Sequence, residues 1–100
     1  DMRVGTVLTA APFPEARKPS IKLTIDFGPE LGVKQSSAQI TVHYSPETLV
    51  GRQVVAAVNL GERRIAGFKS EVLVLGGMPT ATEVVLLRPD HAVANGTRIG

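Results

Sequence analysis

The residues best suited to chemistry lie in one stretch, Asn59-Leu60-Gly61-Glu62-Arg63-Arg64-Ile65-Ala66-Gly67-Phe68-Lys69-Ser70. It carries three of the eleven basic residues and a single acid. Apolar runs flank it, Val54 to Val58 before and Val72 to Leu75 after. Its glycines let the backbone turn sharply. A cationic, glycine-bearing connection between buried strands suits an anion, either phosphate or carboxylate. Arginine adds a planar fork that matches either group. The stretch supplies no nucleophile paired with a base, so its chemistry is binding. A solvated surface turn would carry the same residues, and spacing alone leaves both readings open.

Other side chains qualify less strongly. Lys22 and Lys34 fall on neighbouring strand-like runs and are expected on outward faces, where they could extend a positive groove. Gln35, Ser36, Ser37 and Gln39 form an uncharged polar run suited to hydrogen bonds with an extended peptide backbone. Adjacent serines point to opposite faces of a strand, so at least one of Ser36 and Ser37 lies inward or at an interface. Phe13, Tyr44 and Phe68 could stack on bases, with Phe68 the best placed beside Lys69. In a small barrel such aromatics more often plug the core. Pro12-Phe13-Pro14 could instead rim an apolar cleft, and Asn59 could close a strand by bonding its local backbone. His43 and His91 read as surface residues without a metal-ligating neighbourhood. Gly61 to Ser70 does not meet the phosphate-loop pattern, because Phe68 follows Gly67 where a lysine is required. No Gly-x-Ser-x-Gly, no His-Glu-x-x-His and no carboxylate pair occurs. The expectation is a protein that is not an enzyme and needs no cofactor.

Composition narrows the class. One hundred residues, 43% of them hydrophobic, are read as one domain over 1–100 with a modest core. Only four residues are aromatic, so the core must use Val, Ile, Leu and Ala, a composition that favours strands. Net charge is only +2, so any polyanion binding must come from local clustering rather than a global field. Cysteine is absent, which excludes disulfides and thiolate metal sites. Apolar runs stop at about five or six residues, against the ~20 that span a bilayer. No leader peptide is read at Asp1. A cytoplasmic location without membrane insertion is expected.

The elements that must position these residues follow from alternation and turn signals. Met2 to Leu8 reads as a strand, followed by a basic, proline-bracketed loop holding Arg17 and Lys18. Ile21, Leu23, Ile25 and Phe27 alternate with Lys22, Thr24, Asp26 and Gly28, the clearest period-two signal present. Gly28-Pro29-Glu30 with Gly32 reads as a turn, and Val33 to Val42 as the next strand. Ser45-Pro46-Glu47 opens a short helix that Gly51 ends within about two turns. Val54 to Val58 reads as a strand buried on both sides. Val72 to Leu75 and Glu83 to Leu87 follow, and then a tail with a tight turn at Asn95-Gly96. Five strands with a helix between the third and fourth is the order of an all-β OB-fold barrel. A small sandwich also satisfies it.

Specific wording points further. Asp1-Met2-Arg3-Val4-Gly5, Tyr44-Ser45-Pro46-Glu47-Thr48-Leu49-Val50-Gly51-Arg52, and the set Asn59-Leu60, Arg63-Arg64, Gly67 and Ser70 resemble, in order, three motifs of the tRNA-binding domain family. That family consists of OB-fold modules attached to some aminoacyl-tRNA synthetases or free-standing as dimers. Phe13 to Arg17, Lys34 to Thr41 and Arg63 to Gly77 are similar to its export-related, chaperone-like subgroup. The resemblance implies a homodimer that captures unfolded or export-destined preprotein segments at a partly basic, dimeric cleft. The alternative it implies is recognition of the tRNA backbone by shape. The implied binding residues are Lys34, Ser36, Asn59, Arg63, Arg64, Phe68, Lys69, Ser70 and Leu73. The chain departs from the tRNA-binding pattern at Ala66, where another cation is usual, at Leu73, where methionine is usual, and at Ser37-Ala38-Gln39. Each lost cation removes about one phosphate contact, which lowers the expected affinity for RNA. Apolar strands such as Val54–Val58 and Val84–Leu87 are expected to leave surface for dimerisation.

Overall fold

A computed structural model describes all residues, 1–100. The alternating run that defines the second strand shows why a barrel forms. In β2 (Ile21–Asp26), Ile21, Leu23 and Ile25 are at most 2% exposed, while Lys22, Thr24 and Asp26 face outward. Each inward side chain of this size contributes about 1.5–3 kcal/mol on burial. The strand therefore needs an apolar layer opposite it, and curling the sheet supplies one. β1 (Met2–Pro12) pairs antiparallel with β2 along its second half and with β4 (Gln53–Ala57) along its first. β3 (Val33–Ala38) pairs with β2, and β7 (Leu73–Val74) with β4. The strand order is β3-β2-β1-β4-β7. A register shift between Val7 and Thr9 marks a bulge that helps β1 serve both neighbours.

Side chains largely close the barrel. The Glu71 N–H donates to the Gln35 carbonyl at 2.8 Å, and the Gln35 N–H returns to Glu71 Oε1 at 3.0 Å. The Ser36 hydroxyl donates to the Val72 carbonyl at 2.9 Å, and the Ser37 N–H to Ser70 Oγ at 3.1 Å. The result is the five-stranded, nearly closed all-β barrel of the OB order. Helix α2 (Pro46–Leu49) sits between the third and fourth barrel strands and seals the core with Leu49, which is fully buried. Gly5 lies where β1 crosses this core. A Cβ there would meet Ile25 Cγ2 at 2.6 Å and the Phe27 ring at 2.8 Å.

Several boundaries differ from the sequence reading, each for a physical reason. Gly28–Leu31 is a one-turn helix, α1, rather than a turn, with Pro29 and Glu30 in its first turn. β3 ends at Ala38 instead of Val42; Ile40 remains buried, but Val42 is exposed in the middle of a turn at 41–43. α2 is one turn long, shorter than expected, with Ser45 at its N-cap and Gly51 beyond it at φ +87°. The cationic stretch is no simple loop. It folds as a hairpin of β5 (Arg63–Ile65) and β6 (Phe68–Ser70), turning at Ala66-Gly67 with φ of +48° and +82°. A last pair, β8 (Gly76–Gly77) and β9 (Val85–Leu86), follows β7.

The reading of β4 as buried on both sides holds. Val54 and Ala56 enter the main core; Val55 and Ala57 face the other way and are also buried. The chain's own C-terminal segment is bound close by. It runs beside β1, where the Val4 N–H donates to the Thr97 carbonyl and the Ile99 N–H to that of Met2, each at 2.9 Å. The Gln53 amide clamps the segment by donating to the Val93 carbonyl at 2.7 Å and accepting from the Val93 N–H at 3.1 Å. This corrects the expectation that β4 offers free apolar surface to a second copy.

Candidate binding site

In an OB barrel, ligands meet the outer face of the second and third strands and the loops after the first and fourth. Here those loops are residues 13–20 and the β5–β6 hairpin, and one contact joins them. The Phe13 and Phe68 rings lie 5.4 Å apart, edge to face. Lys22, projecting from the outer face of β2, places Nζ 4.7 Å from the Phe13 centroid and 5.3 Å from that of Phe68. Phe13 is buried and Phe68 half-buried. Phe13 thus anchors the first loop to the hairpin, and Phe68 keeps an accessible portion. Lys22 carries its charge against the ring faces, where the quadrupole attracts it.

Pairing across the hairpin decides which cations act together. Arg63 lies opposite Ser70, Arg64 opposite Lys69 and Ile65 opposite Phe68. Successive strand residues face opposite ways. Arg64 and Lys69 therefore share one face, while Arg63 shares the other with Phe68 and the buried Ser70. Lys69 is engaged by Glu62 at 3.1 Å, an exposed pair of small energetic weight. Arg63 and Arg64 are exposed and pair with no carboxylate. The ribbon is thus cationic on both faces, with the aromatic group on Arg63's side.

Other candidate residues take different places. Lys34 is opposite Ile25 and has the inward parity of Ser36 and Ala38, so it does not extend the face that holds Lys22. Ser36 is completely buried and Ser70 nearly so; their hydroxyls bond across the seam between β3 and the segment 70–72. Asn59 is exposed at the end of β4, with Oδ1 2.9 Å from the Asp1 nitrogen. Leu73 is 52% exposed and lies in one cross-strand row with Ala57 and Met2, apart from the hairpin pairing. Two clefts, of about 510 and 240 Å³, are lined by neither hairpin strand.

Sequence reading missed the Glu62–Lys69 pair and the contact between His43 Nε2 and Glu83 Oε2, 2.6 Å apart across 40 residues. It noted Phe13 and Lys22 separately without joining them. The prolines flanking Phe13 were the available signal, since a lone aromatic on a rigid loop over an open-ended barrel needs a partner. The assembled face can hold acidic groups or carbonyls on the Arg63 guanidinium and pack apolar groups on Phe68.

A family model described as "Putative tRNA binding domain" matches residues 2–98. Among solved structures, the chaperone CsaA of Bacillus anthracis is 62% identical, with TM-score 0.95 over 100% of this chain and 90% of that one. The CsaA chaperone protein of Picrophilus torridus is 45% identical, with TM-score 0.91 over 100% and 91%. The methionine–tRNA ligase of Methanococcoides burtonii is 33% identical over 99 residues. Those residues are 99% of this chain but 14% of the ligase, so the chain spans a small part of such curated relatives.

Proposed function

The chain belongs to the tRNA-binding domain family, and from that membership we propose that it is a chaperone-like binding module that captures exposed segments of unfolded or export-destined polypeptides. The observation that carries this reading is the likeness to the two CsaA chaperone structures over its whole length. Geometry supports it. A half-exposed Phe68 offers apolar contact tolerant of many sequences, and Arg63 on the same face can bind acidic side chains or backbone carbonyls. Glu62 partly offsets the hairpin's charge at Lys69, and the net charge of the chain is only +2, so no broad positive field favours a polyanion. No step requires catalysis or a cofactor.

Two copies would extend this face into a cleft. Support comes from exposed apolar side chains beside the covered sheet: Met2, Leu73, Val85 and Leu87 are each 38–52% exposed. Light scattering at micromolar concentration should give twice the chain mass; the mass of one chain would sink this part of the proposal. No helix is long and apolar enough to cross a membrane.

The second reading, tRNA binding, is favoured by Arg64 and Lys69 lying side by side on a ligand-binding loop of an OB barrel. The two readings separate in a pull-down from cell lysate at low and high salt, scored for RNA and polypeptide. Polypeptide retained at high salt supports capture through apolar contact. Retention of RNA alone, lost steeply as salt rises, supports the second reading and overturns the first. Changing Arg63 and Arg64 together to alanine should remove RNA and only weaken polypeptide capture.

A further inference from the structure

We propose that the outer edge of β5 takes an extended segment of the captured polypeptide as an added antiparallel strand, held by main-chain bonds at Arg64 and selected as an apolar–acidic–apolar triplet. The inference rests on the polypeptide-capture reading and names how the hairpin holds such a segment.

The hairpin's own turn leaves that edge open. Ala66 and Gly67, at φ of +48° and +82°, form the two-residue, positive-φ turn that closes a hairpin on a hydrogen-bonded pair, here Ile65 and Phe68. Bonded and non-bonded pairs alternate along an antiparallel ladder. Arg63 and Ser70 are therefore bonded to each other, whereas Arg64 and Lys69 are not. The main-chain N–H and C=O of Arg64 point away from β6. No strand lies beyond β5, and neither Arg64 nor Glu62, two residues earlier, forms a main-chain bond to any other element. β6 is the inner strand of the hairpin. The Ser37 N–H donates to Ser70 Oγ at 3.1 Å, and Glu71, the next residue, bonds Gln35. β5 thus keeps one free edge, on which Arg63 and Arg64 are exposed. Unpaired edges of this kind are templates for an added strand.

Charge selects the occupant. Antiparallel pairing with the same edge of a second copy would set Arg64 against Arg64, and like charges directly opposite are destabilising. An acidic residue meets the reverse condition. Arg64 pairs with no carboxylate, because Glu62 on the same face engages Lys69. The other face of β5 is different: Ile65 and Phe68 lie there, half-buried, beside Arg63. On an added strand, the residue opposite Arg64 shares its face, and both neighbours of that residue fall on the Ile65 and Phe68 face. The favoured triplet is therefore apolar, acidic, apolar. Strand direction follows from the shortness of the edge. In antiparallel addition Arg64 exchanges both its bonds with one residue, whereas parallel bonds are evenly spaced and reach two.

The test uses the full chain, isotopically labelled, and a capped peptide, Thr-Val-Glu-Val-Thr, read by NMR. Binding should be saturable and should slow water exchange of the Arg64 N–H about ten-fold or more, while the N–H groups of Arg63 and Ile65, already bonded to β6, change little. N-methylation of the peptide glutamate removes the N–H that pairs with Arg64 and should weaken binding about ten-fold or more. N-methylation of both valines, whose N–H groups face away from β5, should change it by less than about two-fold. Arg64→Glu changes an exposed side chain and should keep the hairpin while reversing the preference, so that lysine in place of the peptide glutamate binds better. Saturable binding that is indifferent to methylation of the glutamate, or that leaves Arg64 exchange unchanged, overturns strand addition and leaves capture through side chains standing. So does a peptide that fails to bind while an unfolded polypeptide still perturbs Phe68. Failure of both probes overturns the capture reading together with this inference. Protection of the Arg64 N–H that grows with chain concentration in the absence of peptide gives the edge to a second copy and also overturns it.

Discussion

Phe13 and Phe68 meet edge to face, with 5.4 Å between centroids and 65° between planes, and this one contact ties the loop after the first barrel strand to the cationic hairpin. Phe13→Ala should destabilise the fold by about 3–5 kcal/mol, the cost of truncating a buried phenylalanine. Phe68→Ala should cost less, because its ring is only half-buried. In urea unfolding, a double-mutant cycle should return a coupling of about 0.5–1.5 kcal/mol. Strict additivity would show that the rings do not hold the loops together.

Ser36 and Ser70 give a sharper separation of roles. If they close the barrel, Ser36→Ala leaves the Val72 carbonyl without its side-chain donor and destabilises by about 1–3 kcal/mol. Affinity for an unfolded polypeptide, measured where the variant is fully folded, should not change. Unchanged stability with weakened binding would make Ser36 a contact residue after all.

Ala66 is the only residue other than glycine with positive φ, at +48°. That conformation crowds a Cβ against the following carbonyl. Ala66→Gly should stabilise by about 0.5–1 kcal/mol, the relief of that strain less the added freedom of the unfolded chain. Ala66→Val should be destabilising, because β-branched residues tolerate left-handed backbone poorly. Thermal melts of the two variants on opposite sides of the parent check this. The reverse order would mean that the hairpin does not turn here.

The Ser45 hydroxyl and Glu47's own backbone N–H hold the Glu47 carboxyl below its ordinary value of 4.5, against a smaller opposing effect of burial. A lowered folded-state value favours the native chain when the carboxylate is charged. This contribution is therefore complete above the ordinary value and disappears as pH falls through the lowered one. Glu47 is fully exposed, so the effect on stability is small. A side-chain NMR titration of Glu47 should place its midpoint below 4.5, and Ser45→Ala should raise it. A midpoint at or above 4.5 in the parent would contradict the assignment.

Local pattern was readable where burial enforced it. Ile21, Leu23, Ile25 and Phe27 had to share a face, and Ser45-Pro46 had to start a helix, because period and cap chemistry are local constraints. The hairpin was hidden because Ala66-Gly67 lacks the Asn-Gly or Asp-Gly signal of such turns and its short strands carry charge on both faces. Lys34 was misplaced although it shares the parity of Ala38 and Ile40: alternation put it on the inward side, and its charge alone suggested an outward one. The seam residues looked like ligand contacts for a related reason. A polar side chain reserved for a buried carbonyl and one reserved for a ligand are the same in sequence. Val4 and Met2 carried no sign that the C-terminal segment bonds along their strand, since that pairing joins distant parts of the chain.

The central claim is that polypeptides dock where the 13–20 loop meets the β5–β6 hairpin. Backbone amide mapping by NMR tests it most directly, using the isotopically labelled chain titrated with an unstructured, partly apolar polypeptide at moderate salt. Perturbations should centre on Phe13, Lys22 and Arg63 through Ser70, and Phe68→Ala should abolish most of them. Saturable binding that leaves these amides unmoved, with shifts confined to other surfaces, would contradict it.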